Sequence, residues 1–399
     1  EAPAGLAFTA SEFNKLGMIM STWEGKKTAV KVGLRTVKNR LTGVKYLTLG
    51  QALVARLRLS LAEADVPVWL NTPMKELIQE NGRVVGVVAE RDGKRLRIRA
   101  KRGVVLAAGG FAHNREMREK FQPHPITTEW TSASPGNTGD AIQSGMAEGA
   151  AVDLMEDAWW GPSSLPPEQA PFFHVGERAY PGAIMVNAAG ERFTNESASY
   201  VDVVHAMYEK DSESVPHIPA TFIMDQGYRD KYIFGTLFPG QAIPQAYLES
   251  GYIKKADSLV ELAQQCGIDA KGLVETVARF NEFARSGKDL DYGRGDSAYD
   301  RYYGDPTVEP NPCLAPLEKP PFYAVQMYPG DLGTKGGLVT DEHARVLRKD
   351  GTVIEGLYAT GNSSASVMGN TYPGPGSTIG PAMTFGYIAA KDMAGGQIR

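Results

Sequence analysis

The amino-terminal part of the chain alternates between helical and strand-like hydrophobic patterns. In residues 49–64, Leu53, Leu57 and Leu61 recur at every fourth position, which predicts a helix with one apolar face. Residues 66–70, with the sequence Val-Pro-Val-Trp-Leu, have the composition of a short strand, and we predict one there.

Three further strands are predicted between residues 83 and 108. Residues 83–90 and 96–100 are rich in aliphatic side chains, and Asp92-Gly93 between them is typical of a hairpin turn. Residues 103–108 form a continuous apolar run that ends at Gly109-Gly110, as in a strand buried on both faces of a parallel sheet.

The middle of the chain, residues 114–333, differs because it is rich in aromatic residues and proline and has few long periodic runs. Ser258 and Glu261 form a capping-box pattern, which predicts a helix that ends near Gly267. A second helix is predicted from apolar residues that share one stripe, namely Leu273, Val277, Phe280 and Ala284.

The carboxyl-terminal part resembles the beginning in its pattern. Residues 356–361 predict a short strand that runs into a glycine turn, and residues 378–394 predict a helix that packs back on the sheet. The predicted fold class is therefore α/β, with a Rossmann-like domain on a parallel sheet built from residues 1–113 and 334–399. We predict that an inserted α+β domain, residues 114–333, interrupts it.

Composition and charge exclude several classes of protein. Of 399 residues, 42% are hydrophobic and 22% are charged, as in a globular protein of two or more domains. The net charge of −4 and the lack of a basic stretch argue against a nucleic-acid partner. Cys266 and Cys313 have no CxxC spacing and the histidines are scattered, so we expect neither a disulfide nor a metal site.

Two features concern membranes and the start of the chain. No apolar run reaches the length of about 18 residues that a membrane-spanning helix needs. The chain starts at Glu1, with neither a methionine nor the pattern of a secretory signal, so we expect it to be a fragment or a processed product.

Two strand-to-glycine turns and one glycine-rich loop are the candidates for chemistry. The turns are Val104-Val-Leu-Ala-Ala-Gly-Gly and Leu357-Tyr-Ala-Thr-Gly-Asn, where glycine lets the backbone approach a ligand, although each alone could be a tight strand exit. The loop is Gly369-Asn-Thr-Tyr-Pro-Gly-Pro-Gly-Ser-Thr-Ile-Gly-Pro-Ala-Met, just before the last predicted helix. Its amides and the helix amino terminus suit negative charge on a ligand or a developing enolate.

These motifs resemble the 3-ketosteroid Δ1-dehydrogenase family, within the fumarate-reductase-like FAD flavoproteins, over essentially the whole chain. Leu106-Ala-Ala-Gly-Gly-Phe111 and Gly136-Asn-Thr-Gly-Asp140 are shared across the wider flavoprotein group. More specific to the steroid branch are Ala158-Trp-Trp-Gly-Pro162, Pro329-Gly-Asp-Leu-Gly-Thr-Lys-Gly-Gly337 and the glycine-rich loop. Arg192-Phe-Thr-Asn-Glu196 with Tyr200 and Gly293-Arg-Gly295 also match.

The resemblance implies FAD-dependent 1,2-desaturation of a 3-ketosteroid such as androst-4-ene-3,17-dione. The Tyr372 hydroxyl and the Gly376 N–H would bind the C3 carbonyl oxygen, Tyr200 would remove the C2 proton, and the C1 hydride would pass to flavin N5. A tyrosine with an ordinary pKa of about 10 is a weak base at neutral pH, so Tyr200 needs a neighbour that stabilises its phenolate. In the family a second, upstream tyrosine assists this base, and residues 1–17 contain no match for it. Tyr208 is the alternative base, and Tyr200 could also be an ordinary core tyrosine.

The resemblance also implies where the cofactor binds and which partners the chain has. The implied FAD contacts are Ala108, Gly109, Gly110, Asn137, Thr138, Gly139, Asp140, Gly361, Asn362, Ser377, Thr378 and Ile379. The strand–GxGxxG–helix unit with which family members open has no match, so we expect a separate or missing amino-terminal segment. The expected electron acceptor is a quinone or a dye. The expected location is the cytoplasm, with peripheral membrane contact as an alternative.

Several alternatives stay open at the level of sequence. A 3-ketosteroid Δ4-(5α)-dehydrogenase shares the superfamily, and so does a fumarate-type reductase, which should present arginine and histidine to two carboxylates rather than a phenol and amides. An alternative outside the enzymes is a non-catalytic binding protein or an inactive fragment, because the phosphate-binding turn has no match in the sequence. Side chains that could line the cavity or equally belong to the core are Asp157, Trp159, Trp160, Phe172, Phe173 and Tyr328.

Overall fold

A computed structural model of the chain describes residues 7–395. The α-helices, in chain order, are α1 (Ala10–Gly17), α2 (Trp23–Thr42), α3 (Leu49–Glu63), α4 (Arg115–Phe121), α5 (Asp140–Ala147), α6 (Tyr200–Lys210), α7 (Gln226–Lys231), α8 (Gln245–Glu249), α9 (Leu259–Cys266), α10 (Ala270–Ser286), α11 (Ala298–Tyr303) and α12 (Ile379–Met393). Short 3-10 helices cover Thr128–Trp130, Glu177–Ala179 and Gly361–Ser363. None of the helices within residues 7–395 is long and apolar enough to span a bilayer.

The strands form several sheets rather than one. They are β1 (Met74–Glu80), β2 (Arg83–Arg91), β3 (Lys94–Arg99), β4 (Val104–Leu106), β5 (Val152–Asp153), β6 (Ala158–Ser164), β7 (Phe172–Phe173), β8 (Ala183–Val186), β9 (Ala220–Met224), β10 (Lys254–Ala256), β11 (Phe322–Thr334), β12 (Gly337–Leu338), β13 (Arg345–Leu347) and β14 (Val353–Ala359). The meander β1-β2-β3 is antiparallel, and β12 pairs with β5.

The largest sheet lies in the middle of the chain and has the strand order β7-β6-β11-β9-β8, with β10 also paired to β11. Side chains alternate between its two faces, as expected for a strand. On β9, Phe222 and Met224 pack with α6 in one core cluster, whereas Ile223 packs with α10 in another. The sheet therefore separates two apolar cores, and α6 lies on one face of it.

A smaller mixed sheet joins the two ends of the chain. β4 pairs in parallel with β14, with Val104 opposite Leu357 and Leu106 opposite Ala359, and β13 lies antiparallel on the far side of β14. Helix α12 packs against this sheet through Ala389. The α/β class is confirmed, although this sheet is mixed rather than purely parallel. The domain boundaries stay a prediction, and residues 1–6 and 396–399 lie outside the described residues.

Most of the periodic patterns predicted their elements correctly. The helices at 49–64, after Ser258, along the Leu273 stripe and at 378–394 correspond to α3, α9, α10 and α12. The hairpin is also confirmed, because Asp92 and Gly93 have φ values of 51° and 71° between β2 and β3, as a tight primed turn requires. Gly267 ends α9 in the left-handed conformation.

The predicted strand at residues 66–70 is wrong. These residues have no regular structure, and Val66, Trp69 and Leu70 are 45%, 47% and 77% exposed. A strand needs a hydrogen-bonded neighbour, and in residues 7–395 none pairs with this segment. The preceding helix α3 is correct in type, but none of its residues is buried in the described part of the chain. Its apolar face thus remains uncovered there.

Candidate active site

The glycine turn after β4 is fixed by close packing against two side chains. Gly109 has a φ of 82°, and a Cβ placed there would lie 1.8 Å from Asn137 Oδ1. A Cβ on Gly110 would lie 2.0 Å from Thr334 Oγ1, and the Gly110 N–H donates to Asn137 Oδ1 at 3.2 Å. Both positions therefore require glycine for reasons internal to the protein, and the turn is held against the loop that begins α5.

The second glycine turn, at the end of β14, lies beside the first. Ser363 Oγ donates to Gly109 O at 2.9 Å, and the Thr360 N–H donates to Leu106 O at 3.0 Å. The two turns meet because the carboxyl ends of parallel strands lie at the same edge of a sheet. The structure thus brings the predicted cofactor residues of both turns into one continuous surface, while their role in binding stays a prediction.

An open cleft with about 300 Å³ of empty space lies next to these turns, at the start of α12. Predicted cofactor residues that line it are Gly361, Asn362, Ser377 and Thr378. Trp159 lines it as well, and its Nε1–H donates to Asn362 Oδ1 at 3.1 Å. No side chain among the described residues caps the amino terminus of α12, so its partial positive charge is directed at this cleft.

The loop before α12 keeps its backbone accessible. Gly374 and Gly376 have φ values of 145° and 101°, which glycine adopts readily, and a Cβ on either would meet no described atom within 4 Å. The Ser377 N–H donates to Gly374 O at 3.2 Å, which tightens the turn. The predicted donor Gly376 therefore lies where a ligand can approach its backbone.

Two tyrosines that are far apart in the sequence meet beside this loop. Tyr200 is the first residue of α6 and is 6% exposed, and its ring centroid lies 4.6 Å from that of Tyr372. Trp159 packs edge-on against Tyr372 at 6.1 Å, and Phe173 packs against Tyr200 at 5.1 Å. The predicted base and the predicted carbonyl donor are thus neighbours, and Trp159 connects them to the cleft.

The surroundings of the pair make both phenols harder to ionise. Burial raises the pKa of Tyr200 well above its usual value, and the neighbouring Tyr372 phenol raises it further. Burial also raises the pKa of Tyr372, although the neighbouring Tyr200 phenol partly opposes this shift. The use of Tyr200 as a base requires a positive group that stabilises the phenolate.

The alternative base, Tyr208, has different contacts. It lies two turns further along α6, packs against Trp160 at 5.4 Å, and its hydroxyl donates to Pro125 O at 3.1 Å. Burial raises the pKa of its phenol as well. The aromatic contact with Tyr372 is made by Tyr200, so the geometry favours Tyr200 over Tyr208.

The loop that leads into Tyr200 is anchored by a buried cluster of two arginines and two acids. Arg192 contacts Glu196 at 2.7 Å and Asp289 at 2.9 Å, and Arg294 contacts Glu196 at 3.2 Å. Burial alone would raise the pKa of Glu196, but the two guanidinium groups more than offset this and hold it below its usual value. Two motifs from the sequence, at 192–196 and 293–295, are therefore explained by one balanced set of charges.

A further buried arginine, Arg178, was not singled out by the sequence. Its guanidinium lies 5.8 Å from the centre of the Tyr200 ring and is 1% exposed. Its Nη1 donates to Glu196 O at 2.5 Å and to Ala198 O at 2.8 Å, so it also holds the backbone that precedes Tyr200. Arg178 belongs to a short polar stretch, and its burial cannot be predicted from a single sequence.

The undecided residues divide into cavity and core. Trp159 lines the cleft, whereas Trp160 is buried in the core cluster under α6. Asp157 is buried and holds Lys335 at 2.9 Å and His205 Nε2 at 2.9 Å. Lys335 is fully buried and lies 5.1 Å from the Trp159 ring, which fixes the wall of the cleft. Sequence reasoning missed this lysine, although its motif was noted.

The three remaining undecided aromatic residues are only partly buried. Phe172 and Phe173 form β7, and Phe173 is the one that reaches Tyr200. Tyr328 packs against Trp130 at 5.2 Å. Among residues 7–395 no cluster of His, Cys, Asp and Glu has the arrangement of a metal site, and both cysteines are free thiols.

Comparison with known proteins adds an independent line of argument. The family described as FAD binding domain matches residues 12–379. The 3-oxosteroid 1-dehydrogenases of Mycolicibacterium smegmatis and Mycobacterium tuberculosis are each 51% identical over 99% of this chain and 71% of their own length. This chain belongs to the 3-oxosteroid 1-dehydrogenase family. The crystal structure of 3-ketosteroid delta1-dehydrogenase from Sterolibacterium denitrificans, in complex with 1,4-androstadiene-3,17-dione, has a TM-score of 0.93 and 44% identity, covering 98% of this chain and 72% of that one.

As a member of the 3-oxosteroid 1-dehydrogenase family, the chain is an FAD-dependent oxidoreductase, and its own residues fit that cofactor. The cleft offers glycine turns without side chains, an uncapped helix amino terminus and the amide of Asn362. Such a cleft suits a flat ring with polar edges, because backbone amides can bind the edge of the ring and Trp159 borders the cleft. Of the residues predicted to contact FAD, Gly361, Asn362, Ser377 and Thr378 line this cleft, and Ile379 begins α12 beside it.

Proposed function

We propose that this protein introduces the C1–C2 double bond into a 3-ketosteroid such as androst-4-ene-3,17-dione. The observation that carries this proposal is the contact between Tyr200 and Tyr372, whose rings lie 4.6 Å apart beside the open glycine loop. One phenol can donate to a carbonyl oxygen while the other, once ionised, removes a proton two atoms away. The names of the relatives support the same assignment.

Tyr372 and Gly376 activate the substrate ketone in this proposal. The phenol hydroxyl and the backbone N–H both donate to the C3 oxygen, which stabilises the negative charge that develops there when an enolate forms. Helix α12 begins at Ile379, three residues after Gly376, so its positive end lies close to this donor. A carbonyl so bound makes the neighbouring C2 hydrogens more acidic.

Tyr200 removes the C2 proton. The C2–H bond breaks, an O–H bond forms on the phenolate, and the electron pair moves into the enolate. The hydride that leaves C1 would go to FAD, the hydride acceptor, which the cleft residues would hold in place. The aromatic side chains of Phe173 and Trp159 exclude water from the two tyrosines, which strengthens the electrostatic contacts between them and the ketone.

The rival functions have less support from the residues. A fumarate-type reductase needs cations for two carboxylates, whereas the ring contacts of Tyr372 are with Tyr200 and Trp159. A Δ4-(5α)-dehydrogenase is the rival that a test must separate, because it would use the same ketone. A non-catalytic protein would have no need for a buried pair of phenols beside an open cleft.

We also propose that the part of the cofactor site that binds the pyrophosphate lies in a segment outside this sequence. The chain spans 71% of the length of its mycobacterial relatives, and the apolar face of α3 is uncovered in residues 7–395. Exposed apolar residues that such a segment would cover include Val54, Leu57, Leu59, Trp69 and Leu70. A quinone or dye as electron acceptor and a cytoplasmic location are further proposals.

The decisive experiment uses the full-length flavoprotein. Anaerobic mixing with androst-4-ene-3,17-dione should bleach the flavin absorbance and yield the 1,4-diene. A flavin that stays oxidised with this steroid, but is reduced by a 5α-reduced 3-ketosteroid to give the 4-ene, would instead assign Δ4-(5α) chemistry. Oxidation of reduced flavin by fumarate would assign the reductase.

A further inference from the structure

Arg178 is a buried cation whose hydrogen bonds go to neutral groups. Its nitrogens donate to Glu196 O at 2.5 Å, Ala198 O at 2.8 Å and His174 O at 3.4 Å. In the described part of the chain, no carboxylate oxygen lies within 4.0 Å of it. Burial lowers the pKa of Arg178, but a guanidinium starts so far above neutrality that it stays protonated. Since a buried charge is costly unless it is paired, this arginine needs an explanation.

The acid next to it in sequence makes no ion pair with it. One oxygen of Glu177 accepts from the Val175 N–H at 3.1 Å, so the carboxyl group is directed at the backbone. Burial raises the pKa of Glu177, and burial also raises the pKa of Asp202, on the same helix as Tyr200. Both shifts weaken the negative charge that these acids set against Arg178.

The side chain directly facing the guanidinium is Tyr200. The distance of 5.8 Å from Arg178 Cζ to the ring centre is within the range of a cation–π contact. A neutral phenol attracts a cation weakly, whereas a phenolate, whose charge spreads into the ring, attracts it strongly. The pair therefore becomes more favourable when Tyr200 loses its proton.

We propose that Arg178 is the counter-ion of the Tyr200 phenolate and the positioning residue that makes Tyr200 usable as a base. The inference rests on the proposed function, because it assigns to Arg178 the stabilisation that the proposed base requires. It is independent of any second tyrosine, and all its members lie within the described residues. Arg178 acts through Tyr200 and has no contact with the ketone in this proposal.

The same contacts explain how the charge is kept in place. Arg294 donates to Arg178 O at 3.2 Å and to Tyr180 O at 2.9 Å, so the short helix Glu177–Ala179 is held by the balanced cluster. Arg178 in turn holds the carbonyls of Glu196 and Ala198, just before Tyr200. The cluster thus fixes both the cation and the backbone that carries the phenol. A preorganised charge of this kind needs no rearrangement when the phenolate forms.

The pH dependence of the base is set by a defined group of neighbours. The titratable and charged groups that face Tyr200 or Arg178 are Tyr372, Tyr299, Tyr303, Asp202, His174 and Glu177. Burial lowers the pKa of His174 to about 3, so it is neutral. Among these groups Arg178 supplies the positive charge. At this separation a unit charge shifts a neighbouring pKa by about one to two units in a protein interior.

The test compares two buried arginines in the full-length FAD-loaded enzyme. Arg178→Gln and Arg178→Lys are measured against Arg229→Gln, because Arg229 is also buried and donates to backbone carbonyls, those of Tyr232, Phe238 and Gln241. The readout is the rate of flavin reduction by the 3-ketosteroid in single turnovers from pH 6 to pH 10. Circular dichroism and flavin content check that each variant is folded.

We expect Arg178→Gln to lower the rate at pH 7 by about 10- to 100-fold, and to move the rising limb of the pH profile upward by about one to two units. Arg178→Lys, which keeps a charge, should recover most of the rate. Arg229→Gln should leave the profile in place. Added guanidinium should partly restore an Arg178→Ala variant.

Two results would overturn the proposal. One is a folded Arg178→Gln enzyme with the wild-type profile. The other is a rate reduced by the same factor at every pH, which is the result of a structural role; if Arg178→Gln does not fold, the same criterion applies to Arg178→Ala. Failure of the proposed function is distinguishable, because the wild-type enzyme would then not reduce its flavin with the ketosteroid at all.

Discussion

Two groups of buried arginines lie side by side in this protein and are held in different ways. Arg192 pairs with Glu196 and Asp289, and Arg294 pairs with Glu196, so their charges are balanced by carboxylates at 2.7–3.2 Å. The neighbouring Arg178 is held by the carbonyl oxygens of Glu196 and Ala198, and its guanidinium faces the phenol ring of Tyr200. Arginines paired with carboxylates are typical of a structural anchor, whereas a buried arginine without such a partner is typical of a functional site.

The difference shows how a fold can maintain a charge that does not stabilise it. A buried arginine without a carboxylate costs free energy, and only surroundings that are rigid for other reasons can hold it. Here the balanced cluster supplies that rigidity, because Glu196 provides carboxylate oxygens to Arg192 and Arg294 and its backbone carbonyl to Arg178. Stability is thus built into one set of charges and reactivity into its neighbour.

The largest effect should come from removing the phenol that the unbalanced arginine faces. Tyr200→Phe should lower the rate of flavin reduction by about 10²- to 10⁴-fold, the usual contribution of a general base. Tyr208→Phe, on the same helix, is the matched control and should stay within a few-fold of wild type. A large loss in Tyr208→Phe with an active Tyr200→Phe would reverse the assignment.

The next largest effect should come from breaking the balanced cluster. Glu196→Gln leaves Arg294 without its carboxylate and should lower the free energy of unfolding by about 3–5 kcal/mol, as for other buried ion pairs. Urea unfolding followed by circular dichroism measures it. Glu119→Gln, which removes the exposed pair with Arg115, should show no measurable change. Equal stability of the two variants would mean that the cluster is not an anchor.

The pH dependence of stability should also separate the two groups. The pKa of Glu196 and that of Asp289 are below their usual values, since the arginines outweigh the effect of burial. Folded pKa values below the unfolded ones mean stability that is present above about pH 5 and is lost as the pH falls further. Wild type should therefore lose stability below pH 5 more steeply than Glu196→Gln in urea titrations at several pH values. Parallel curves would contradict this.

The smallest effect should come from the acid beside the unbalanced arginine. Burial raises the pKa of Glu177 and thereby weakens the charge that it sets against Arg178, so we expect Glu177→Gln to change little. The rate of flavin reduction and its pH profile should change by less than about twofold. A profile that moves to lower pH would instead show that Glu177 is ionised and offsets Arg178, and the contrast between the two groups of arginines would be lost.

Local patterns in the sequence predicted much of the secondary structure. The period of α10, the cap of α9 at Ser258 and the turn at Asp92-Gly93 depend on neighbouring residues, and each was predicted correctly. The strand at residues 66–70 was wrong because strand formation depends on a partner that the local pattern does not contain. The exposure of α3 could not be predicted for the same reason.

The candidate site was predicted less completely. The residues that could do the chemistry can be recognised from sequence alone, because their motifs consist of particular residue types at fixed spacing. This holds for the motifs around Tyr372 and Tyr200 and for the glycines at 109 and 110. It takes the tertiary structure to show that the two tyrosines meet, that Asn137 and Thr334 make those glycines necessary, and that no carboxylate of residues 7–395 pairs with Arg178. Pairing and burial of charge depend on contacts between distant parts of the chain, and these exist only once the sheets and helices have packed.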